Sequence, residues 1–194
     1  AAVASITAGS MLYTLDGGIA NVALPVIAQK LGIDPSASVL IVSAYNLVLA
    51  MTLLPLAALG ERLGHARVFV TGLFLYLAAS VGCLLVESLP ELLALRALQA
   101  LAAAGLLSVS LAMVRLVYPS DMLGRGLGFN TMASSLGAAI APPLGGLMLA
   151  HFAWQGVFAA GVPLALIGLA ASRALPEATL RSEPFDTRGA VLCT

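Results

Sequence analysis

The chain has 194 residues, of which 60% are hydrophobic and 9% charged, and its nine Lys and Arg balance its nine Asp and Glu. Its mean hydropathy is +1.03, whereas soluble domains carry about 25% charged residues. This composition indicates an integral membrane protein made of helices, because a transmembrane barrel would show short alternating segments. The zero net charge gives no basic surface for nucleic acid. The two cysteines lack the spacing of metal or redox sites.

Six apolar runs follow one another, each close to the roughly 20 residues that a helix needs to cross a bilayer. The runs lie at about 1–28, 38–60, 68–87, 91–114, 126–150 and 155–175. We therefore predict an all-α membrane protein with a six-helix transmembrane bundle over residues 1–175. The polar stretch after it is predicted to be a cytoplasmic linker that leads into a truncated further span, over residues 176–194.

The positions of the basic residues predict the orientation in the membrane. Arg62 and Arg67 lie between spans two and three, and Arg115 and Arg125 lie between spans four and five. Only Lys30 lies on the opposite side. Because cytoplasmic loops carry the excess of Lys and Arg, both termini are expected in the cytoplasm.

The first span carries an acidic side chain, Asp16, in the middle of its apolar run. A carboxylate at this depth costs about 2.5–3.5 kcal/mol on insertion scales. Such residues usually face a bundle interior or a water-filled cavity and mark an ion or substrate path. The alternative is a protonated, hydrogen-bonded Asp with a structural role.

Spans two, three and six differ in polar content. Tyr45 and Asn46 of span two either line a cavity or are satisfied by neighbouring helices. Span three is almost wholly apolar and is predicted to pack or to face lipid. Span six begins at Trp154, where an interfacial aromatic belt would lie. Its interior has no ionisable group, so we assign it no site.

Span four contains Arg96 and Gln99, and Ala103 and Ser110 continue the same helix face. One interpretation is a snorkelling arginine whose long stem reaches the outer headgroups. The other is an arginine that faces the cavity, where it binds anions or alters the protonation of a nearby carboxylate. The adjacent Gln99, which can donate and accept hydrogen bonds, favours the second interpretation.

Span five has a small residue at every fourth position: Ala133, Gly137, Ala141 and Gly145. Such a ridge lets two membrane helices approach closely. Residues 142–143 are both proline, which removes two backbone donors and predicts a kink.

Four motifs in chain order resemble those of a known family. Residues 15–25 are similar to L-D-x-T-x-x-N-V-A-L-P, with Gly18 at the Thr position. Residues 57–67 resemble a loop motif that has a leading Gly followed by D-R-x-G-R-[KR]-[KR], with Ala57 at the Gly position, Glu61 at the Asp position, and His65 and Ala66 at two basic positions. Residues 95–100 are similar to l-R-x-x-Q-G with Ala100 in place of Gly, and residues 128–146 to G-x8-G-x3-G-P-x2-G-G with Ala141 in place of one Gly.

These motifs resemble the N-terminal half of the major facilitator superfamily, in its fourteen-span drug:proton antiporter branch. The resemblance implies two inverted three-helix repeats, in which span one corresponds to span four, so that Asp16 and Arg96 face the same cavity. It also implies two six-helix halves that rock around a midplane site. Asp16 would bind the proton and a substrate cation, and Arg96 would help to couple the proton.

The expected site residues fall into three sets. The proton and substrate site comprises Asp16, Asn21, Tyr45, Asn46, Arg96 and Gln99. The cytoplasmic latch comprises Glu61, Arg62, Gly64 and Arg67, with Arg115 as a pairing partner. The helix packing that would seal the two halves comprises Gly128, Gly137, Ala141, Pro142, Gly145 and Gly146.

The expected function is proton-coupled export of lipophilic or cationic drug-like compounds, with no cofactor other than the coupling proton. The location would be the bacterial inner membrane. Because six spans supply one half of such a carrier, the partner is either a C-terminal half or a second copy of the chain. The alternatives are a non-transporting binding or scaffold module and a carrier for a small metabolite. An enzyme is disfavoured because the chain has neither His-Glu-x-x-His nor Gly-x-Ser-x-Gly.

Overall fold

The structure is a computed structural model that describes residues 1–175. Over this range six helices are long and apolar enough to cross a membrane, which confirms the six predicted spans. The α-helices are α1 Ala2–Leu31, α2 Pro35–Leu63, α3 His65–Cys83, α4 Leu89–Val117, α5 Leu123–His151 and α6 Val162–Ala171. The sixth span, Trp154–Ala174, combines the short α6 with the 3-10 segments on either side of it. Three short 3-10 segments accompany them at Ser120–Met122, Trp154–Ala159 and Ser172–Ala174. The predicted linker at 176–194 lies outside the described residues.

Polar residues at their N-terminal ends explain why α2 and α4 begin before the corresponding apolar runs. Helix α2 begins at Pro35, because Asp34 caps it by accepting a hydrogen bond of 2.8 Å from the backbone N–H of Ser36. The Ser36 hydroxyl also donates to this carboxylate, and these bonds hold the pKa of Asp34 below its ordinary value. Helix α4 begins at Leu89, where the Glu91 carboxylate accepts from the backbone N–H of Ser88.

The connection between α2 and α3 is a single residue, Gly64. Its φ of +98° lies in the left-handed region, which residues with a side chain rarely adopt. Gly64 therefore lets the chain reverse direction directly after Leu63, so that α2 and α3 become antiparallel neighbours.

Helix α1 lies at the centre of the bundle. It packs along α5 and also contacts α2, α4 and α6, while α4 lies between α2 and α3. Two large apolar clusters and a small third one form the interior: Leu12, Phe69 and Leu73 belong to the first, Ile19 and Phe158 to the second, and Tyr45 to the third. Asp16 lies on α1 between Leu12 and Ile19, so its carboxylate is placed where the first two clusters meet.

The small residues of α5 allow close contact with α1. Ala133, Gly137, Ala141 and Gly145 are all buried. A Cβ atom at Gly137 would lie 2.5 Å from Oγ1 of Thr14, so this glycine leaves room for the backbone of α1 to approach.

Other members of the predicted packing set lie elsewhere on α5. Gly128, Pro142 and Gly146 are on its exposed side, and added Cβ atoms at the two glycines would meet no atom within 4 Å. Helix α5 continues through Pro142 and Pro143 as one helix.

Candidate functional site

Asp16 and Arg96 form a buried ion pair between α1 and α4. Nη1 of Arg96 lies 2.7 Å from Oδ2 of Asp16, and the two residues are only 1% and 4% exposed. A buried pair of this kind is costly to break, because removal of one partner leaves an uncompensated charge. The two helices that the repeat architecture relates are thus joined through opposite charges.

Further hydrogen bonds extend the ion pair into a network. The Tyr76 hydroxyl donates to Oδ1 of Asp16 at 3.0 Å, so both carboxylate oxygens accept a hydrogen bond. Nη1 of Arg96 also donates to Oε1 of Gln99 at 2.9 Å. Nε2 of Gln99 in turn donates to Oγ of Ser80 at 3.0 Å. The network therefore includes side chains from α1, α3 and α4.

Two aromatic rings hold the Arg96 guanidinium. Its Cζ lies 4.2 Å from the centroid of the Tyr45 ring and 5.3 Å from that of Phe158. Both distances are within the range of cation–π attraction, which is strongest where water is excluded. Trp154 packs edge-on against Phe158, with ring centroids 6.3 Å apart. The arginine is thus held by hydrogen bonds and by rings from α2 and from the 3-10 segment before α6.

Two polar atoms of this site have no hydrogen-bond partner among residues 1–175: Oη of Tyr45 and Nε of Arg96. Most buried polar atoms in proteins have such a partner, so each of these atoms can accommodate a further hydrogen bond. Both atoms belong to the stacked pair of Tyr45 and Arg96 next to Asp16.

The structure brings four of the six predicted binding residues together: Asp16, Tyr45, Arg96 and Gln99. The other two lie outside the network. Asn21 is exposed, and its Nδ2 donates to the carbonyl of Gly17 on its own helix. Asn46 follows Tyr45 directly and is also exposed, because successive helical residues point in different directions.

The structure sets aside one of the two interpretations of Arg96 and changes the expected surroundings of its pair with Asp16. Arg96 does not snorkel to a headgroup region, since it is buried against Asp16 and two aromatic rings. Within residues 1–175 the pair also does not line an open cavity, because the network and the surrounding apolar residues enclose it. A cavity of about 420 Å³ lies instead between α2, α3 and α4, and none of the six predicted binding residues lines it. We place the candidate site at the ion pair, where the ionisable groups are.

The sequence interpretation missed Tyr76, Ser80 and Phe158. The expectation that span three only packs or faces lipid is wrong for its inner face, which contributes Tyr76 and Ser80. These are polar residues four positions apart on one face of an otherwise apolar helix, and that spacing was the available signal. Span six, to which no site was assigned, contributes Phe158. Its apolar ring gave no signal, because a ring that stacks on an arginine is indistinguishable in sequence from a core residue.

The predicted latch residues lie at one end of the bundle. Glu61 and Arg62 are in the last turn of α2, Gly64 is in the turn, Arg67 is in the first turn of α3, and Arg115 is in the last turn of α4. The four charged side chains are exposed, whereas Gly64 is buried. The structure thus groups these residues at a place separate from the ion pair.

Comparison with known proteins decides the family. The family model described as Major Facilitator Superfamily matches residues 6–190. The chain belongs to this superfamily. Its fold agrees, since the solved structure of the proton:xylose symporter XylE superposes with a TM-score of 0.75 at 16% identity, over 91% of this chain and 44% of that one.

Three curated members of the superfamily show how far the likeness extends. The uncharacterized transporter YebQ of Escherichia coli K12 is 38% identical over 98% of this chain and 42% of its own length. The riboflavin transporter RibZ of Clostridioides difficile strain 630 is 31% identical over 96% of this chain and 42% of its own. The putative multidrug resistance protein MdtD of Escherichia fergusonii is 31% identical over 95% and 39%. The chain thus spans about two fifths of the length of these relatives.

Proposed function

We propose that this chain forms one half of a proton-coupled exporter of lipophilic or cationic drug-like compounds. The observation that carries the proposal is the buried pair of Asp16 and Arg96 at the junction of α1 and α4. An ionisable residue inside a membrane span is most often part of an ion or substrate path. The likeness to MdtD, whose name refers to multidrug resistance, supports export.

The exchange would proceed at the Asp16 carboxylate. Arg96 and Tyr76 each donate to one of its oxygens and Asp16 is buried, so in this scheme a proton or a substrate cation gains access when one of these contacts opens. A proton bound to Asp16 removes the negative charge that holds Arg96, and a cation bound there replaces Arg96. Because the same group takes either the proton or the cation, release of one accompanies uptake of the other.

The transporter would consist of this six-helix half and a second one, from a longer polypeptide or from another copy. The two halves would rock around Asp16, which would become open first to one side of the membrane and then to the other. We place the protein in a bacterial inner membrane with both termini in the cytoplasm, following its basic loops. The proton is the only coupling ion or cofactor in this scheme.

The test is transport in liposomes that contain the complete transporter, with a pH gradient and tetraphenylphosphonium as the substrate. We expect Asp16→Asn to reduce proton-coupled export to the level of protein-free liposomes. Asp121→Asn is the matched control, because Asp121 is an exposed acid in a loop segment and takes no part in the network. Unchanged export by Asp16→Asn would remove the central role of this residue. Transport of tetraphenylphosphonium into liposomes that contain this chain alone would indicate that two copies of the chain form the transporter. Absence of transport in these liposomes would favour a separate second half.

The second candidate is a carrier for a small metabolite, and the likeness to the riboflavin transporter RibZ favours it. The same liposomes with riboflavin in place of tetraphenylphosphonium separate the two candidates. Transport of riboflavin alone would select the metabolite carrier, and transport of the lipophilic cation alone would select the exporter.

A further inference from the structure

A groove on the outer wall of the bundle is separate from the Asp16 site. It has a volume of about 420 Å³, within the range of ligand-binding cavities. Helices α2 and α3 form its sides and α4 forms its floor, because α2 and α3 each pack closely on α4 but only sparsely on each other. Its lining includes Leu56, Leu63, Arg67, Thr71, Leu101 and Gly105.

The groove faces away from the ion pair. Leu101 and Gly105 of its floor follow Arg96 by five and nine residues. At about 100° per residue, they lie roughly 140° and 180° around α4 from the arginine. Since Arg96 faces α1 at the bundle centre, the groove opens on the side of α4 that is turned away from the ion pair.

The chemistry of the groove is an apolar wall with a single positive charge at one end. Leucines dominate the lining, and Arg67 lies in the first turn of α3 with its side chain exposed. Among residues 1–175, Arg67 has no recorded ion pair that would neutralise it. This arrangement complements an amphiphile with a hydrocarbon chain and an anionic head, and it disfavours a lipophilic cation.

We propose that the groove binds an anionic phospholipid, with one acyl chain along the leucines and the phosphate on the guanidinium of Arg67. Basic pockets between transmembrane helices are suited to lipids of this charge. The lipid would lie against α2, α3 and α4 at the end where the latch residues are grouped. It would therefore stabilise the position of α3 relative to α2 without contacting the proton site.

The test is the lipid retained by the full 194-residue chain, incorporated in bilayers of equal parts phosphatidylglycerol and phosphatidylcholine and then extracted in detergent. Native mass spectrometry identifies the lipid that remains bound and counts the molecules bound to each chain. We expect one phosphatidylglycerol per chain to be retained in preference to phosphatidylcholine. Arg67→Gln should lower its retention about fivefold, the factor that one basic residue supplies near an anionic lipid surface. Arg125→Gln, an exposed arginine on α5 outside the groove, should leave it unchanged.

A second pair of variants tests the groove itself. Thr71→Trp places a large side chain in the groove from an exposed position, and we expect it to displace the lipid. Phe74→Trp is the control, since Phe74 is 57% exposed on the same helix and does not line the groove. Equal loss in both Trp variants, or equal retention of the two phospholipids, would indicate only a general lipid coat and would overturn the proposal. A dimer observed by native mass spectrometry for the unsubstituted chain but not for Thr71→Trp would also overturn the proposal, because the occupant of the groove would then be a second copy of the chain.

Discussion

Each oxygen of the Asp16 carboxylate has its own partner, Arg96 on one side and Tyr76 on the other. The two partners differ in kind, because Arg96 compensates the charge whereas the Tyr76 hydroxyl only orients the carboxylate and donates one hydrogen bond. This division makes separate predictions for the two residues. Loss of the arginine changes the charge of the site, and loss of the tyrosine hydroxyl changes only its geometry.

Replacement of Tyr76 by Phe should destabilise the bundle by about 1.5–3 kcal/mol, the range for a hydrogen bond to a charged group. The ring remains, so packing in the first apolar cluster is preserved and the loss comes from the unpaired oxygen of Asp16. Unfolding in detergent, followed by circular dichroism, measures the change. Tyr13→Phe is the matched control, because the partly buried Tyr13 hydroxyl makes no recorded hydrogen bond within residues 1–175. Equal destabilisation by the two substitutions would show that the bond to Asp16 contributes nothing.

At the scale of helices, the contact between α1 and α5 explains two departures from the family motifs. Gly18 stands where the first-span motif has Thr, and Ala141 stands where the fifth-span motif has Gly. The two positions face each other, since a Cβ atom at Gly18 would lie 2.5 Å from Cβ of Ala141. Relative to the two motifs, the glycine thus lies on α1 and the larger residue on α5, and this arrangement leaves room for the close contact.

This exchange predicts a compensating pair of substitutions. Gly18→Ala should destabilise the bundle by about 1–3 kcal/mol, the usual cost of overpacking. Ala141→Gly in the same chain should restore most of the loss, because the next atoms near the added Cβ lie at 3.9 Å. Gly17→Ala is the control, since its Cβ would meet nothing within 4 Å. The free energies of unfolding of the single and double variants in detergent give the coupling energy between the two positions. If the effects of the two substitutions on this free energy simply add, the predicted compensation is wrong.

For the whole molecule, much of the architecture could be predicted from the sequence. Bilayer thickness sets the length of each span, so the number and length of the apolar runs indicate the number and position of the spans. The site could be predicted only in part. Asp16 and Arg96 stand out as charges in apolar helices, but Tyr76, Ser80 and Phe158 acquire their roles from the packing of α3 against α4 and of the 3-10 segment against α1, α3 and α5. The enclosure of the ion pair also could not be predicted, because helix packing determines whether a polar group meets water or another side chain.

The orientation of the molecule in the membrane is a prediction that labelling can test. In a chain whose Cys83 and Cys193 are replaced by Ser, Ser36→Cys lies at the start of α2 and Asp121→Cys lies before α5. Both positions are exposed, so each thiol is accessible from its own side. We expect an impermeant maleimide to label Ser36→Cys in intact cells and Asp121→Cys only after permeabilisation. The reverse pattern would place both termini outside.

The neutrality of the joined Asp16 and Arg96 side chains has an electrical consequence. A membrane potential acts on net charge, at about 2.3 kcal/mol per elementary charge for each 100 mV. While the two groups remain joined, they contribute no net charge, and displacement of both together across the field requires almost no electrical work. Voltage therefore acts on this centre only during the steps in which the carboxylate and the guanidinium are apart.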